Sequence, residues 1–580
     1  MKHVMKYGKP YVAIIVVVLL MKIAGAVLDL MIPSALADIL DVAVPAAKAT
    51  GDTGIIVHHG LKMAAFAFAE LVLNTAANFT VANIASKMVG TLRQDLFDKV
   101  TFLSARQLDD VTIPSAVSRL TSDTYNVQHM INRVLRMGVR APMLMIGGIV
   151  VTAMEDPMLA LLLVFALPAV SYIVVHLTKK AVPLNKEKQS ILDRMVRTVQ
   201  ENASGIRVIK ALSKTEYEKD RYDKVNNELA EKSLEAGLIT TKTRPLVNIV
   251  FYLSLVGVIV VGAFRVNGGH MLPGKIVAFM SYFTIIINAT QGISGIFVMC
   301  SNGAASAGRI QEVMEMEKTM ETVDVPAEES PYAVEFRDVR FSYNGIEDNL
   351  TGVSFGLKKG QTLGIIGATG SGKSTLVNLL LRFYDADGGQ IFLDGQDIRS
   401  IDNEKLRKKF GVVFQNDFVV ADTISKNIDF YRDLDEDALR KAAVLAQAAE
   451  FIAEKEGGME YQLAVKGNNL SGGQKQRLLI ARALAANPEV LVLDDSSSAL
   501  DYRTDAGLRR ALAEHFAETT KIIVAQRVSS IKSADCILVL EGGEVIGKGT
   551  HDELMVSCEE YRHIANTQME AQGKEVTAHG

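Results

Sequence analysis

The segment Pro157–His176, PMLALLLVFALPAVSYIVVH, runs for 20 residues without an Asp, Glu, Lys or Arg. A helix of that length rises about 30 Å, the thickness of a bilayer's hydrocarbon core. In hydrocarbon every backbone polar group must be satisfied within the segment itself, which leaves a helix as the economical solution. Five further apolar segments begin at Tyr11, Lys62, Arg136, Leu246 and Ile276, giving six expected spans. The first two continue into amphipathic sequence, so their helices are expected to outrun the bilayer. A composition that is 49% hydrophobic over 580 residues agrees with a large membrane portion. The net charge of -4 gives no sign of a nucleic-acid partner. Three cysteines, Cys300, Cys536 and Cys558, are widely spaced and fit neither a metal-ligand pattern nor a disulfide framework.

Charge sets the orientation. The basic N-terminus (Lys2, Lys6, Lys9) and the regions Lys87–Arg106, Lys179–Lys242 and Arg309–Lys318 are rich in cations. The loops near Lys48–His59 and at Glu155-Asp156 are not. By the positive-inside rule both termini lie in the cytoplasm, with an even number of spans. The loop Arg265–Lys275 carries two cations and runs against this pattern. The run from Tyr11 has no small-residue cleavage site and leads into a long helical pattern, so it reads as a span and not as a signal peptide.

Two long charged regions separate spans two from three and four from five. Both carry helical patterning and read as span helices prolonged into the cytoplasm, with breaks at Asp109–Ser115, which includes Pro114, and at Ala211–Glu216. Within the spans, Lys22 and Asp29 are seven residues apart and share a helix face, and Glu70 sits in the second span. Such charges face protein or a water-filled cavity. They read either as polar spots in a substrate pathway or as a structural ion pair of Lys22 with Asp29. Met137, Met143, Met145, Phe66 and Phe68 read as the lining of an adaptable apolar cavity or as packing and lipid-facing residues.

From Lys318 to Pro331, KTMETVDVPAEESP is acidic and poor in large apolar residues, and the domain boundary is placed there. Beyond it, short apolar runs alternate with helical patterns, an α/β signature. Val334–Val339, Val353–Leu357 and Gln390–Leu393 suggest a small antiparallel sheet. Thr362–Ile366, Gly411–Phe414, Val490–Leu493 and Lys521–Ala525 suggest buried parallel strands. Lys405–Ile480 is mostly helical in pattern.

Chemistry enters at Gly367-Ala368-Thr369-Gly370-Ser371-Gly372-Lys373-Ser374-Thr375, a G-x-x-x-x-G-K-[ST] phosphate loop between a strand and a helix. Its glycines let backbone N–H groups converge on phosphate oxygens, and the helix beginning near Lys373 adds its positive end. Lys373 reaches the outer phosphates, and Ser374 can ligate Mg²⁺. About a hundred residues on stands Leu470-Ser471-Gly472-Gly473-Gln474, followed by Leu491-Val492-Leu493-Asp494, where a carboxylate at a strand end can hold the Mg²⁺ shell.

This order of motifs resembles the ATP-binding cassette (ABC) ATPases, whose LSGGQ element closes over ATP held by a different cassette. The resemblance covers the whole chain. It implies an exporter-type multidomain protein: a six-helix all-α transmembrane domain (type IV ABC exporter fold) at residues 1–317, a linker at 318–331, and an α/β P-loop NTPase ABC cassette at 332–580. It further implies that Tyr343 stacks on adenine, and that Gln415 senses Mg²⁺ and the attacking water. Ser498-Ala499-Leu500-Asp501 would cross between cassettes. The stretches Ile113–Asp123 and Gly205–Lys210 look like the two intracellular loops whose tips are short coupling helices. ATP and Mg²⁺ are the expected cofactors, with Ser374, Gln415 and Asp494 as the Mg²⁺ residues.

Two positions depart from the family pattern. The glutamate after the Walker B aspartate is Asp495, one methylene short of the attacking water, and the switch histidine is Gln526, which donates a hydrogen bond but carries no charge. Both changes fall on hydrolysis, while Ser471, Gly472, Gly473 and Gln474 are intact. Val465-Lys466 also stands where many family exporters carry an acid. The chain therefore resembles the degenerate-site subunit of bacterial heterodimeric multidrug exporters. That likeness implies a second half-subunit as partner, a multi-pass place in the inner or plasma membrane with a cytoplasmic cassette, and hydrophobic, drug-like or lipid-like substrates. A homodimeric exporter with slow hydrolysis and an ATP-gated channel or regulator are the alternative readings.

Overall fold

The computed structural model describes residues 6–317, 319–415 and 418–578; Lys2, Lys318 and the last two residues of the expected cassette lie outside them. The chain divides into two compact units: one holds the chain up to Thr101 and Ile113–Met316, the other holds Phe102–Thr112 and everything from Glu317.

The first unit is all helix. Its long elements are α1 (Val12–Asp38) and α2 (Gly54–Thr101). After α2 comes a short α3 (Ala105–Val111), which belongs to the second unit. Then come α4 (Thr124–Met137), α5 (Arg140–Glu155), α6 (Pro157–Ser204), the short α7 (Ile206–Ala211), α8 (Thr215–Asn267) and α9 (Pro273–Met314). Among the described residues five helical stretches are long and apolar enough to cross a membrane, namely Lys9–Thr50, Gly54–Thr101, Ile113–Glu155, Pro157–Ser204 and Thr215–Asn267. The sixth expected span, from Ile276, lies in α9, which is 42 residues long. With 48 residues in α2 and in α6 and 53 in α8, these helices outrun a bilayer core of ~30 Å roughly twofold at ~1.5 Å per residue. The charged regions between spans are therefore continuous with the apolar helices, as their patterning suggests. Buried Leu159, Leu163, Phe279, Phe283 and Ile286 join α6 to α9.

Two features of this unit refine the reading of its charges. The cations of the loop that ran against the positive-inside pattern are paired with the acids of another: Arg265 with Asp156 at 2.9 Å and Lys275 with Glu155 at 2.7 Å. The suggested pair of Lys22 with Asp29 is not formed. Asp29 instead accepts from Arg140 at 3.0 Å, and Glu70 accepts from the same guanidinium at 2.8 Å. Sharing a face of α1 aims two side chains the same way, and the neighbouring helices decide what each one meets.

The second unit carries two sheets. A four-stranded antiparallel sheet has β1 (Val334–Phe341), β2 (Leu350–Leu357), β4 (Gly388–Leu393) and β5 (Gln396–Asp397) in the order β2-β1-β4-β5. The other sheet has β3 (Thr362–Gly367), β6 (Phe410–Val413), β7 (Val490–Asp494), β8 (Thr520–Val524), β9 (Cys536–Glu541) and β10 (Glu544–Gly549) in the order β10-β9-β3-β8-β7-β6. All its pairs are parallel except β9 with β10. Its interior strands are buried on both faces, which accounts for their unbroken apolar runs. β9 and β10 are additions to the sequence reading: CILVLE and EVIGKG form a hairpin about Gly542-Gly543, both at positive φ. Short helices Ile424–Asp429, Glu436–Leu445 and Ala449–Ala453 pack on α11 (Gly472–Ala485) through Leu439, Phe451, Leu478 and their neighbours.

The described part of the linker, 319–331, lies along the antiparallel sheet: Val323 N–H donates to the Arg399 carbonyl at 2.9 Å and Glu328 N–H to that of Gly395 at 2.8 Å. Helix α3 also belongs to this unit. It is capped reciprocally by Ser104 and Gln107, and it ends at Thr112, whose φ is 61°. Its Asp109 accepts from the Tyr384 hydroxyl at 2.6 Å, and Gln107 donates to the Glu317 carbonyl at 2.8 Å. The first loop thus carries a short helix just before the stretch Ile113–Asp123 that resembled the family loop. At the second loop the short helix is α7, beginning directly after Gly205.

Candidate functional site

β3 runs through the middle of the parallel sheet and delivers the phosphate loop at its C-terminal end, where α10 (Lys373–Leu380) begins. Gly372 caps α10 at φ +97°, and a Cβ there would lie 2.8 Å from the Asn349 carbonyl oxygen and 2.6 Å from Leu350 Cδ2. At Gly367 a Cβ would come within 2.1 Å of the Leu540 carbonyl oxygen. Only glycine lets the backbone turn this tightly at these two points. Inside the turn, the Lys373 ammonium donates to the carbonyls of Gly367 (2.9 Å) and Ala368 (2.7 Å) and to Ser371 Oγ (3.4 Å). Burial holds its pKa below the usual lysine value, against the pull of Asp494 and Asp495.

Asp494 closes β7, which lies between β6 and β8. It is only 5% exposed, and it accepts from Ser374 Oγ at 3.2 Å. Burial raises its pKa, Asp495 adds to the rise, and Ser374 and Lys373 oppose it. Asp495 follows at φ 49°, its N–H held by the Val524 carbonyl at 2.9 Å. Its Oδ2 accepts from Gln526 Nε2 at 2.8 Å, and Gln415 also hydrogen-bonds its carboxylate. Burial raises this carboxyl as well, with Lys373 and Arg527 opposing.

These groups surround one cavity of about 480 Å³, whose wall includes Gly367, Thr369, Gly370, Gly372, Lys373, Ser374, Thr375, Gln415, Asp494, Asp495 and Gln526. Three sets of expected site residues stand apart from that wall. Ser371 is turned inward, 3% exposed. Tyr343 sits beside the cavity, its N–H donating to the Oδ1 of Asn349, a wall residue, and its ring edge-on to Tyr384 at 5.1 Å. Ser471, Gly472, Gly473 and Gln474 form the first turn of α11, where Ser471 and Gln474 cap each other. Ser471 and Gly472 are exposed and Gly473 and Gln474 half-buried, so this helix start is open to a ligand from outside. Sequence reasoning missed Asn349, Glu560 and Ile564 as wall residues. Asn349 could have been suspected from its place just before β2, but the helix Glu559–Ala578 carried no motif.

The residues fit a Mg²⁺–nucleotide. Ser374 and Asp494 present a hydroxyl and a carboxylate to each other beside a lysine and a glycine cradle, the hard oxygen donors Mg²⁺ takes together with phosphate.

Comparison with known proteins gives the following likenesses. The family described as "ABC transporter transmembrane region" matches residues 15–290, and the one described as "ABC transporter" matches residues 350–498. An uncharacterized ABC transporter ATP-binding protein, YfiB of Bacillus subtilis, is 32% identical over 579 residues, 99% of this chain and 100% of that protein. An ATP-dependent lipid A-core flippase of Vibrio vulnificus is 29% identical over 491 residues, 84% of each chain. A solved bacterial Atm1-family ABC exporter with ATP bound has the same fold, with a TM-score of 0.76, 24% identity, and coverage of 94% of this chain and 98% of that one.

Proposed function

Because the chain belongs to the ABC transporter family, a transmembrane region fused to its own ATPase cassette, we propose that it is the weakly hydrolytic half of an ATP-driven heterodimeric exporter. The observation that carries this reading is the pair Asp495–Gln526. Both departures from the family pattern stand on the wall of the nucleotide cavity and are hydrogen-bonded to each other at 2.8 Å, while the holding residues around them match the pattern.

In this reading the chain binds ATP and supplies half of each composite site. The N–H groups of Gly370 and Gly372 and the Lys373 ammonium hold phosphate oxygens, and Tyr343 offers its ring to adenine. Ser374, Asp494 and Gln415 hold Mg²⁺, which supplies charge neutralisation on the phosphates. Asp495 orients water poorly, since its carboxylate is a methylene short and already accepts from Gln526 and Gln415. Gln526 offers the γ-phosphate a neutral donor where the family has a histidine. The signature Ser471–Gln474 serves the partner's ATP, so this chain completes the faster site without hydrolysing there. Cassette and termini lie on the cytoplasmic side, and the substrates are amphipathic, drug-like or lipid-like, a reading to which the likeness to a lipid flippase lends support.

A homodimeric exporter with slow hydrolysis is the second reading, favoured by the carboxylate that Asp495 still places on the cavity wall. The test is ATPase activity of the purified full chain in lipid, alone and after co-purification with what accompanies it in its own cells. The heterodimer reading expects poor turnover alone and recovery with a partner. A rate on the ordinary scale of ~1–100 s⁻¹ from the chain alone would discard it.

A further inference from the structure

The first unit holds five ionisable side chains where α1, α2, α4 and α5 meet, Lys22, Asp29, Glu70, Arg136 and Arg140, and a sixth, Arg133, one turn before Arg136 on α4. Four are cations and two are carboxylates. Both carboxylates are taken by one cation, Arg140, which donates to Asp29 at 3.0 Å and to Glu70 at 2.8 Å. Lys22 is 2% exposed, and its ammonium donates to two neutral oxygens, Asn74 Oδ1 at 2.6 Å and Asn78 Oδ1 at 2.7 Å. Arg136 donates to the Asn78 backbone carbonyl at 3.3 Å. The Nε donors of Arg136 and of Arg133, one turn earlier on α4, are buried with no protein acceptor among the described residues. Lys22 also feels repulsion from Arg136 and Arg140, relieved only in part by Glu70.

Cations repelling one another, with buried donor atoms left unmet, are costly inside a protein and costlier at membrane depth. The cost is offset when an anion enters and accepts from several of them at once. Arg140 lies 15 residues before Glu155, roughly 22 Å down the helix at ~1.5 Å per residue, so it sits within the span, with Arg136 and Arg133, roughly 28 and 33 Å from Glu155, toward its inner end. The outward faces of the surrounding helices are apolar, with Leu20, Leu71 and Val150 exposed. An anion reaching this depth beside such surfaces is best carried by an apolar tail.

We infer that Lys22, Arg133 and Arg136 form a binding site for the phosphate-like anionic headgroup of a transported amphiphile. This deepens the exporter reading and rests on it, for it names the substrate class of the membrane half.

The test uses the full chain in phosphatidylcholine nanodiscs without ATP, so that cassette chemistry does not enter. Two probes carry one fluorophore, on phosphatidic acid and on phosphatidylcholine. The site predicts at least tenfold tighter binding of the anionic probe, its displacement by dodecyl phosphate, and no displacement by inorganic phosphate at the same concentration. Lys22→Gln and Arg136→Gln should each weaken the anionic probe about tenfold, the scale of one charge-assisted hydrogen bond, and leave the other probe unchanged. Arg133→Gln breaks no hydrogen bond seen in the structure and should weaken it as well, so a misfolded Lys22 variant does not close the question. Glu70→Gln should move affinity the opposite way, a gain that damage to the fold would not produce. Equal binding of the two probes, or indifference to all three cation substitutions, overturns the site. Displacement by inorganic phosphate as readily as by dodecyl phosphate overturns the amphiphile. ATP-driven movement of the probe by the reconstituted complex is scored separately. Binding without movement counts against the exporter reading alone, and movement of both probes at equal rates counts against the anionic site alone.

Discussion

The side-chain amide of Gln526 donates to Asp495 Oδ2 at 2.8 Å, so the two residues that break the family pattern satisfy each other. A glutamate at 495 would extend one methylene further into the cavity, and a histidine at 526 would free the carboxylate to face water. Asp495→Glu is therefore expected to raise single-turnover hydrolysis at this site by ~10- to 100-fold, and adding Gln526→His should raise it further, because both groups act on one transition state. The measurement uses a partner chain lacking its own catalytic glutamate. Unmodified turnover already at the rate of an ordinary cassette would remove the basis for calling the site degenerate.

Gly472→Asp should abolish steady-state turnover of the whole complex, although Gly472 belongs to the chain proposed to hydrolyse poorly. A Cβ at this position meets nothing within 4 Å, so the change leaves the cassette folded and acts on the ligand it faces. Nucleotide binding at Lys373, read with a photoreactive ATP analogue, should survive. If turnover also survives, the signature does not serve the faster site.

Gly372→Ala should act on folding. Its φ of +97° strains any side chain, and the new methyl would meet the Asn349 carbonyl at 2.8 Å. A loss of about 1–3 kcal/mol is expected for such a backbone position, visible as a lower melting temperature without nucleotide. An unchanged melting temperature would mean that the loop relaxes freely.

Arg140 bridges Asp29 on α1 and Glu70 on α2. Arg140→Gln leaves two half-buried carboxylates without their cation inside the span, a loss that approaches the ~3–5 kcal/mol of breaking a fully buried pair from one side without reaching it. Expression should fall sharply, and Asp29→Asn with Glu70→Gln in the same chain should recover much of it. Equal expression of the single and triple variants would contradict the pairing. Lys22 should behave differently: a charge swap of Lys22 with Asp29 should rescue nothing, since these two do not touch.

The pH dependence of Asp494 has a definite sign. Burial raises its pKa in the folded protein above the unfolded value, so its charged form is disfavoured by folding. Its contribution to stability is most favourable below the unfolded carboxyl pKa and is lost as pH rises through the raised folded value. At neutral pH, without nucleotide, Asp494→Asn should therefore melt higher than the parent, by a few degrees if roughly 1 kcal/mol is relieved. That gap should narrow on acidification. A variant that melts lower at neutral pH would show that the charge is stabilising as it stands.

The cassette was legible because its chemistry is local. The loop from Gly367 to Thr375, the strand-end Asp494 and the signature are each written in a few consecutive residues, and the strands between them are unbroken apolar runs. Legibility failed where partners are distant. Arg140 lies 111 residues from Asp29 and 70 from Glu70, so no local pattern announces either pair. The β9–β10 hairpin escaped because EVIGKG carries two glycines and only two large apolar residues, Val545 and Ile546, which are adjacent and so point to opposite faces. Glu560 reaches the nucleotide cavity from a helix whose sequence carries no motif.

Helix α3 lies between two spans in sequence and yet folds into the cassette's own compact unit, with Asp109 held by Tyr384 across 275 residues. Tyr384 in turn meets Tyr343, the ring proposed to stack on adenine, at 5.1 Å. A soluble fragment cut before residue 318 would accordingly be missing part of itself. It should bind nucleotide less well than the intact chain, and a synthetic peptide of residues 102–112 should restore affinity when added back.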